Sequence, residues 1–87
     1  MRHNAYVVTA QLDRTVSEGP QKHSLTLKGH RTSVSLEPEF WDAFRDIAAQ
    51  DGKPINALAS EIDAIRGPEV GLASAIRVFV LARFRNR

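Results

Sequence analysis

The alternation of apolar and polar residues is clearest in a six-residue stretch, 31–36, which ends two positions before Pro38. In an extended strand, one face would carry Thr32, Val34 and Leu36. The other face would carry Arg31, Ser33 and Ser35. The first face suits a hydrophobic core, whereas a guanidinium and two hydroxyls can hydrogen-bond base edges and phosphates. We expect this strand to lack a partner in its own chain, so that a second copy must supply one.

A first helix is predicted from Pro38, because proline suits the first helical position, where its missing N–H is not needed. Glu37 would be its cap, and Gly52 would end it in the left-handed conformation. The apolar positions recur at helical spacing. They are Phe40, Trp41, Phe44, Ile47 and Ala48.

Two further helices are predicted, from about Ile55 to Arg66 and from about Leu72 to Arg85. The expected buried face of the earlier one consists of Ile55, Leu58, Ala59, Ile62 and Ile65. The later one is apolar on more than one face, which in so small a domain indicates burial between subunits.

The N-terminal part is less clearly patterned. Residues 5–12 alternate weakly, as in a strand, but a flexible tail fits them equally well. Residues 23–28 alternate as well, and Gly29 could either close a tight hairpin or kink one extended arm. We therefore divide the chain into an N-terminal arm, 1–22, and a domain, 23–87.

Composition narrows the function classes. A chain of 87 residues without cysteine, with a net charge of +2, is one domain at most and contains neither disulfides nor thiolate metal sites. The longest apolar run, 78–82, is too short to span a bilayer, and no signal peptide is evident at the start. We expect a cytoplasmic protein. Cations lie before and after the acidic middle of the chain: Lys22, Lys28 and Arg31, then Arg77, Arg83, Arg85 and Arg87.

Catalytic and metal chemistry is not indicated. The three histidines share no spacing that would bring ligands together, and the serines lack a histidine and acid partnership. Glu61 and Asp63 are close in sequence but are not a positioned acid/base pair. We predict no enzyme, no cofactor and no metal.

The order of a strand, a helix ending at glycine, a short turn and a second helix resembles the ribbon-helix-helix family of DNA-binding proteins, over about Arg31 to Arg66. The stretches around Gly29-His-Arg-Thr-Ser and Ser35-Leu-Glu-Pro-Glu-Phe-Trp are similar to a bacterial branch with a further C-terminal helix. The resemblance implies a mostly α, α+β fold: an intertwined homodimer with a two-stranded antiparallel ribbon between the subunits and an added third helix.

The resemblance also implies site residues. The ribbon enters the DNA major groove, so the expected base contacts are Arg31, Ser33 and Ser35. The start of the second helix is the family's phosphate anchor. Expected phosphate contacts there and near the ribbon are Lys28, His30, Lys53, Ile55 and Asn56. Pro54 replaces the serine or threonine common in the family and gives up one N–H and a hydroxyl.

Simpler structural roles remain open for these residues. Arg31, Lys28 and His30 could face water, and Lys53 and Asn56 could serve the turn and the cap. The function implied is a bacterial transcriptional repressor that binds double-stranded DNA as a homodimer, or as pairs of dimers. The alternatives are an antitoxin that binds a toxin, and a protein-interaction or assembly module that has lost DNA binding.

Overall fold

A computed structural model of the chain describes residues 19–86. Its elements are β1 (Gln21–Leu27), β2 (His30–Leu36), α1 (Pro38–Gln50), α2 (Ile55–Ile65) and α3 (Leu72–Arg85). The α+β class and the three helices are as predicted. The strand considered for residues 5–12 lies outside the described residues, as does Arg87.

β1 and β2 form an antiparallel hairpin with Leu27 opposite His30 and Gln21 opposite Leu36. The two turn residues both have positive φ, 51° at Lys28 and 86° at Gly29, which is the type I′ pattern that matches the twist of paired strands. Gly29 therefore closes a hairpin. The expectation that β2 has no partner in its own chain is wrong, because β1 pairs with one of its edges.

The two faces of β2 are as predicted. Val34 and Leu36 are buried, while Arg31, Ser33 and Ser35 are exposed. Thr32, on the face predicted to enter the core, lies opposite the buried Leu25 but is itself exposed, so the core side of β2 consists of Val34 and Leu36. β1 contributes Leu25 to the same core.

Local signals set both ends of α1. Glu37 is its N-cap, although its side chain forms no capping hydrogen bond, and Pro38 begins the helix. At the other end Gly52 has a φ of 67°, and the N–H of Lys53 donates to the Ala48 carbonyl at 2.9 Å. This is the Schellman arrangement, in which a left-handed glycine lets the chain turn back on the helix end.

The hairpin covers one side of the helices, and a single core lies between them. Its largest fully buried side chains are Phe44, Leu36, Ile47 and Ile76. The rings of Phe44 and Phe79 meet edge to face, with centroids 6.5 Å apart, and so join α1 to α3. Within residues 19–86 no helix is long and apolar enough to cross a membrane.

Two apolar surfaces stay outside this core. Ile65 is 82% exposed, so its prediction as part of the buried face of α2 is wrong for the single chain. α3 buries Ile76 and Val80 but exposes Val78, Leu81 and Phe84. The second apolar face of α3 is therefore present at the surface, where another molecule can reach it.

The strand faces can be tested by a pair of neighbouring substitutions. Val34→Ser should lower the free energy of unfolding by about 2–4 kcal/mol, because it removes buried apolar surface and buries a hydroxyl. Ser33→Ala, on the exposed face, should change it by less than about 0.5 kcal/mol. Urea unfolding followed by circular dichroism measures both. A larger loss for Ser33→Ala than for Val34→Ser would mean that the faces are assigned the wrong way round.

Candidate nucleic-acid interface

The outward face of the hairpin brings together three predicted residues and three that sequence analysis missed. Arg31, Ser33 and Ser35 of β2 stand opposite Thr26, Ser24 and Lys22 of β1, respectively. All six are exposed. The alternation of residues 23–28 includes Ser24 and Thr26 but not Lys22, and only the hairpin register shows that all three share a face with Arg31.

The main-chain N–H and C=O groups also alternate along each strand, pointing either to the partner strand or to the outer edge of the hairpin. The Thr26 N–H donates to Oδ1 of Asn56 at 3.1 Å, and the Ser35 carbonyl accepts a long contact of 3.5 Å from Arg77. Both groups therefore point away from the partner strand. Since antiparallel pairs alternate in this respect, the main-chain groups of Arg31 and Ser33 also point to the outer edge of β2. Within residues 19–86, no strand lies along that edge.

Charge is distributed unevenly between the hairpin and the helices. The hairpin carries Lys22, Lys28 and Arg31, and it contains no carboxylate. The helical part holds several cations in ion pairs with acids. These pairs are Lys53–Glu61, Arg66–Asp63, Arg77–Glu37 and Arg83–Asp51. The other cations of the helical part are Arg45, which lies beside Asp42 and Asp46, and Arg85 at the end of α3, whereas the three cations of the hairpin have no acid on their own element.

The start of α2 lies beside the outer edge of β1. Pro54 is the N-cap and forms no side-chain cap hydrogen bond. Lys53 reaches Glu61 at 2.7 Å, and Asn56 accepts the hydrogen bond from Thr26. Both predicted anchor side chains thus already have structural partners. Ile55 supplies a first-turn N–H, a group that has no acceptor within a helix.

Lys28 and His30 lie at the tip of the hairpin rather than on its central face. Both are exposed, and they line a cavity of about 200 Å³ together with Ser60 and Asp63 of α2. The tip therefore adjoins the middle of α2, some distance along the strands from Ser33.

Trp41 has a structural role. Its ring stacks on His23, with centroids 3.8 Å apart and an interplanar angle of 7°, and it also contacts Phe44. This agrees with the prediction of a packing residue rather than a platform for nucleic-acid bases. Among the described residues, no group of three or more potential ligands could hold a metal ion.

Two arginines hold α3 against the ends of α1. Nε of Arg77 donates to Glu37 at 2.9 Å, and both terminal nitrogens of Arg83 reach the carboxylate of Asp51, at 3.1 and 2.7 Å. These hydrogen bonds hold the pKa of Glu37 and the pKa of Asp51 below their ordinary values. Both arginines, which the sequence suggested only as part of a C-terminal basic cluster, are thus engaged in positioning α3.

A family model described as "Ribbon-helix-helix domain" matches residues 20–84. The match covers the hairpin, α1, α2 and nearly all of α3. Proteins with this domain are typically non-enzymatic and bind DNA as dimers. No curated protein and no solved structure matches the chain.

The ion pairs predict a pH dependence of stability. A carboxyl group whose pKa is lowered by folding stabilises the fold above its unfolded pKa, and this stabilisation is lost as the pH falls through the folded pKa. The loss should therefore lie below the ordinary values of 4.5 for Glu37 and 3.8 for Asp51. The double variant Glu37→Gln/Asp51→Asn should be less stable than the wild type at neutral pH and should approach it in acid.

Urea unfolding at a series of pH values measures this difference. Glu69→Gln, which removes an exposed acid in the loop before α3, is the control and should follow the wild-type curve. Parallel curves for the double variant and the wild type would contradict the role of the two ion pairs.

Proposed function

We propose that this chain, which belongs to the ribbon-helix-helix domain family, is a transcriptional repressor that binds double-stranded DNA as a homodimer through the exposed face of its hairpin. One observation carries the proposal. A ribbon of fixed register presents cations and hydroxyl groups, without any carboxylate, on the side opposite the core. Such a surface complements the phosphates and the hydrogen-bonding edges of DNA bases.

β2 supplies the base contacts in this proposal. Arg31 can donate two hydrogen bonds to one guanine, which makes it the main determinant of sequence preference. Ser33 and Ser35 can donate or accept, so they discriminate less between bases. Their side chains are short, and contact therefore requires β2 itself to enter the groove.

The open edge of β2 is the proposed dimer contact. Since β1 occupies the other edge, a second copy can pair only along the side where the main-chain groups of Arg31 and Ser33 point outward. Antiparallel pairing about a two-fold axis would place each Ser33 opposite its own copy and Arg31 opposite Ser35 of the partner. The two β2 strands then form the ribbon between subunits, with one β1 on each side. An unpaired edge is itself a reason to expect pairing.

Phosphate contacts would supply most of the affinity. Lys28 and His30 at the hairpin tip and the first turn of α2, with Lys53, Ile55 and Asn56, are the proposed contacts of the helical side. Because Lys53 pairs with Glu61 and Asn56 accepts from the Thr26 N–H, we expect the main-chain N–H groups that remain beside Pro54 and the helix dipole to contribute more than these side chains. Pairs of dimers could occupy repeated half-sites.

An antitoxin is the second candidate, and a specific observation favours it. Ile65, Val70 and Val78 line an apolar groove of about 390 Å³ between the end of α2 and α3. A surface of this kind suits a protein partner, such as a toxin. Binding of DNA together with a second protein would fit this candidate, whereas absence of DNA binding at low salt would favour an interaction module without DNA binding.

The function is tested by comparing two exposed arginines. Arg31→Ala should weaken binding to the preferred duplex, selected from a random pool, by about 1–3 kcal/mol and should relax sequence preference at the contacted position. Arg45→Ala removes the same charge from the acidic outer face of α1 and is the control. Fluorescence anisotropy with preferred and altered duplexes measures both. Equal effects of the two variants, or no binding by the wild type, would contradict the proposal.

A further inference from the structure

We infer that β1 is a phosphate-binding strand, in which Lys22, Ser24 and Thr26 contact the two DNA backbones at the rims of the groove that the β2 strands enter. This inference rests on the proposed function and adds a second, distinct set of contacts to it. Sequence preference would belong to β2, whereas β1 would contribute affinity and orientation.

The first support is the shared face of the two strands. Lys22 lies opposite Ser35, Ser24 opposite Ser33, and Thr26 opposite Arg31, and the β1 side chains are as exposed as those of β2. A surface that meets DNA with the outward side of β2 must therefore bring the outward side of β1 close to the same DNA. The groups available there are one ammonium and two hydroxyls, which are common phosphate ligands.

The second support is the width of the groove. Neighbouring strands lie about 4.8 Å apart, so the outer strands of the sheet β1–β2–β2–β1 would be separated by about 14 Å. The major groove is about 12 Å wide and admits a two-stranded ribbon. The two central strands can enter it, but the outer strands must remain at the level of the phosphates. On this geometry β1 meets the backbone and not the base edges.

The third support is the position of α2. Its first turn adjoins the outer edge of β1, since Asn56 accepts the hydrogen bond of the Thr26 N–H at 3.1 Å. A backbone that follows β1 would thus pass the start of α2, where the helix dipole favours an anion. Lys22, at the other end of β1, would contact phosphates further along the same DNA backbone.

A salt titration of Lys22→Gln tests the inference. Each lysine–phosphate contact contributes about 0.9 to the slope of log K against log salt, so loss of Lys22 from both subunits should reduce the slope by about 2. Near physiological salt, the same loss corresponds to about 10- to 30-fold weaker binding, by a similar factor for preferred and altered duplexes. Lys22→Arg should keep most of the slope, and Arg45→Gln is the control for loss of a cation elsewhere.

The outcomes separate the two proposals. If the wild type binds no duplex at low salt, the proposed function fails and the inference fails with it. If the wild type binds but Lys22→Gln leaves the slope unchanged, the inference is wrong and the function stands. If Lys22→Gln changes the preferred sequence, β1 enters the groove itself, as a single-chain hairpin would, and the assignment to the rim is overturned. Unchanged thermal unfolding of the variant confirms that the fold is intact.

Discussion

The register of the β1–β2 hairpin is the constraint on which the rest of the structure depends. Two consecutive positive φ values, at Lys28 and Gly29, fix a two-residue turn, and the turn fixes which residues face each other. A slip of one residue in β2 relative to the core would bring Ser33 and Ser35 inward in place of Val34 and Leu36. The same alternation that builds the core therefore builds the candidate interface, and neither can change without the other.

The ion pairs lie in the helical part of the chain, whereas the candidate interface lies on the hairpin. Arg77 and Arg83 join α3 to opposite ends of α1, so their charges stabilise the arrangement of helices. Exposed pairs of this kind contribute modestly to stability, but they do neutralise the charge of the arginines involved. The hairpin, which lacks carboxylates, retains its positive charge. Although the whole chain has a net charge of only +2, the outward face of the hairpin is therefore well suited to an anion.

Much of the fold could be predicted because its signals are local. Pro38 and Gly52 mark the ends of α1, the bounds of α3 agree with the prediction, and alternation gave the faces of β2 correctly. Other features depend on distant contacts. Gly29 was compatible with a hairpin or a kink, and in the folded chain it closes a hairpin that places Leu25 in the core. Likewise, the apolar spacing of Ile65 could not show that no part of the described chain covers it.

The candidate site, too, could be predicted from the sequence only in part. Sequence alternation placed Arg31, Ser33 and Ser35 on one face, but it could not place Lys22 beside them without the register. Nor could it show that Lys53 and Asn56 already have partners, since Glu61 and Thr26 reach them only in the folded chain. The roles of all these residues toward DNA are proposals supported by their position and charge.

The central claim is that the open edge of β2 pairs with a second copy to form the DNA-binding ribbon. Sedimentation velocity of Ser33→Pro beside Ser24→Pro, with and without a labelled duplex, tests it most directly. Each proline removes one outward-pointing N–H, from the outer edge of β2 or of β1, without removing a hydrogen bond between them. We predict that the wild type and Ser24→Pro are dimers, whereas Ser33→Pro is a folded monomer without DNA binding. A Ser33→Pro variant that remains a DNA-binding dimer would contradict the account.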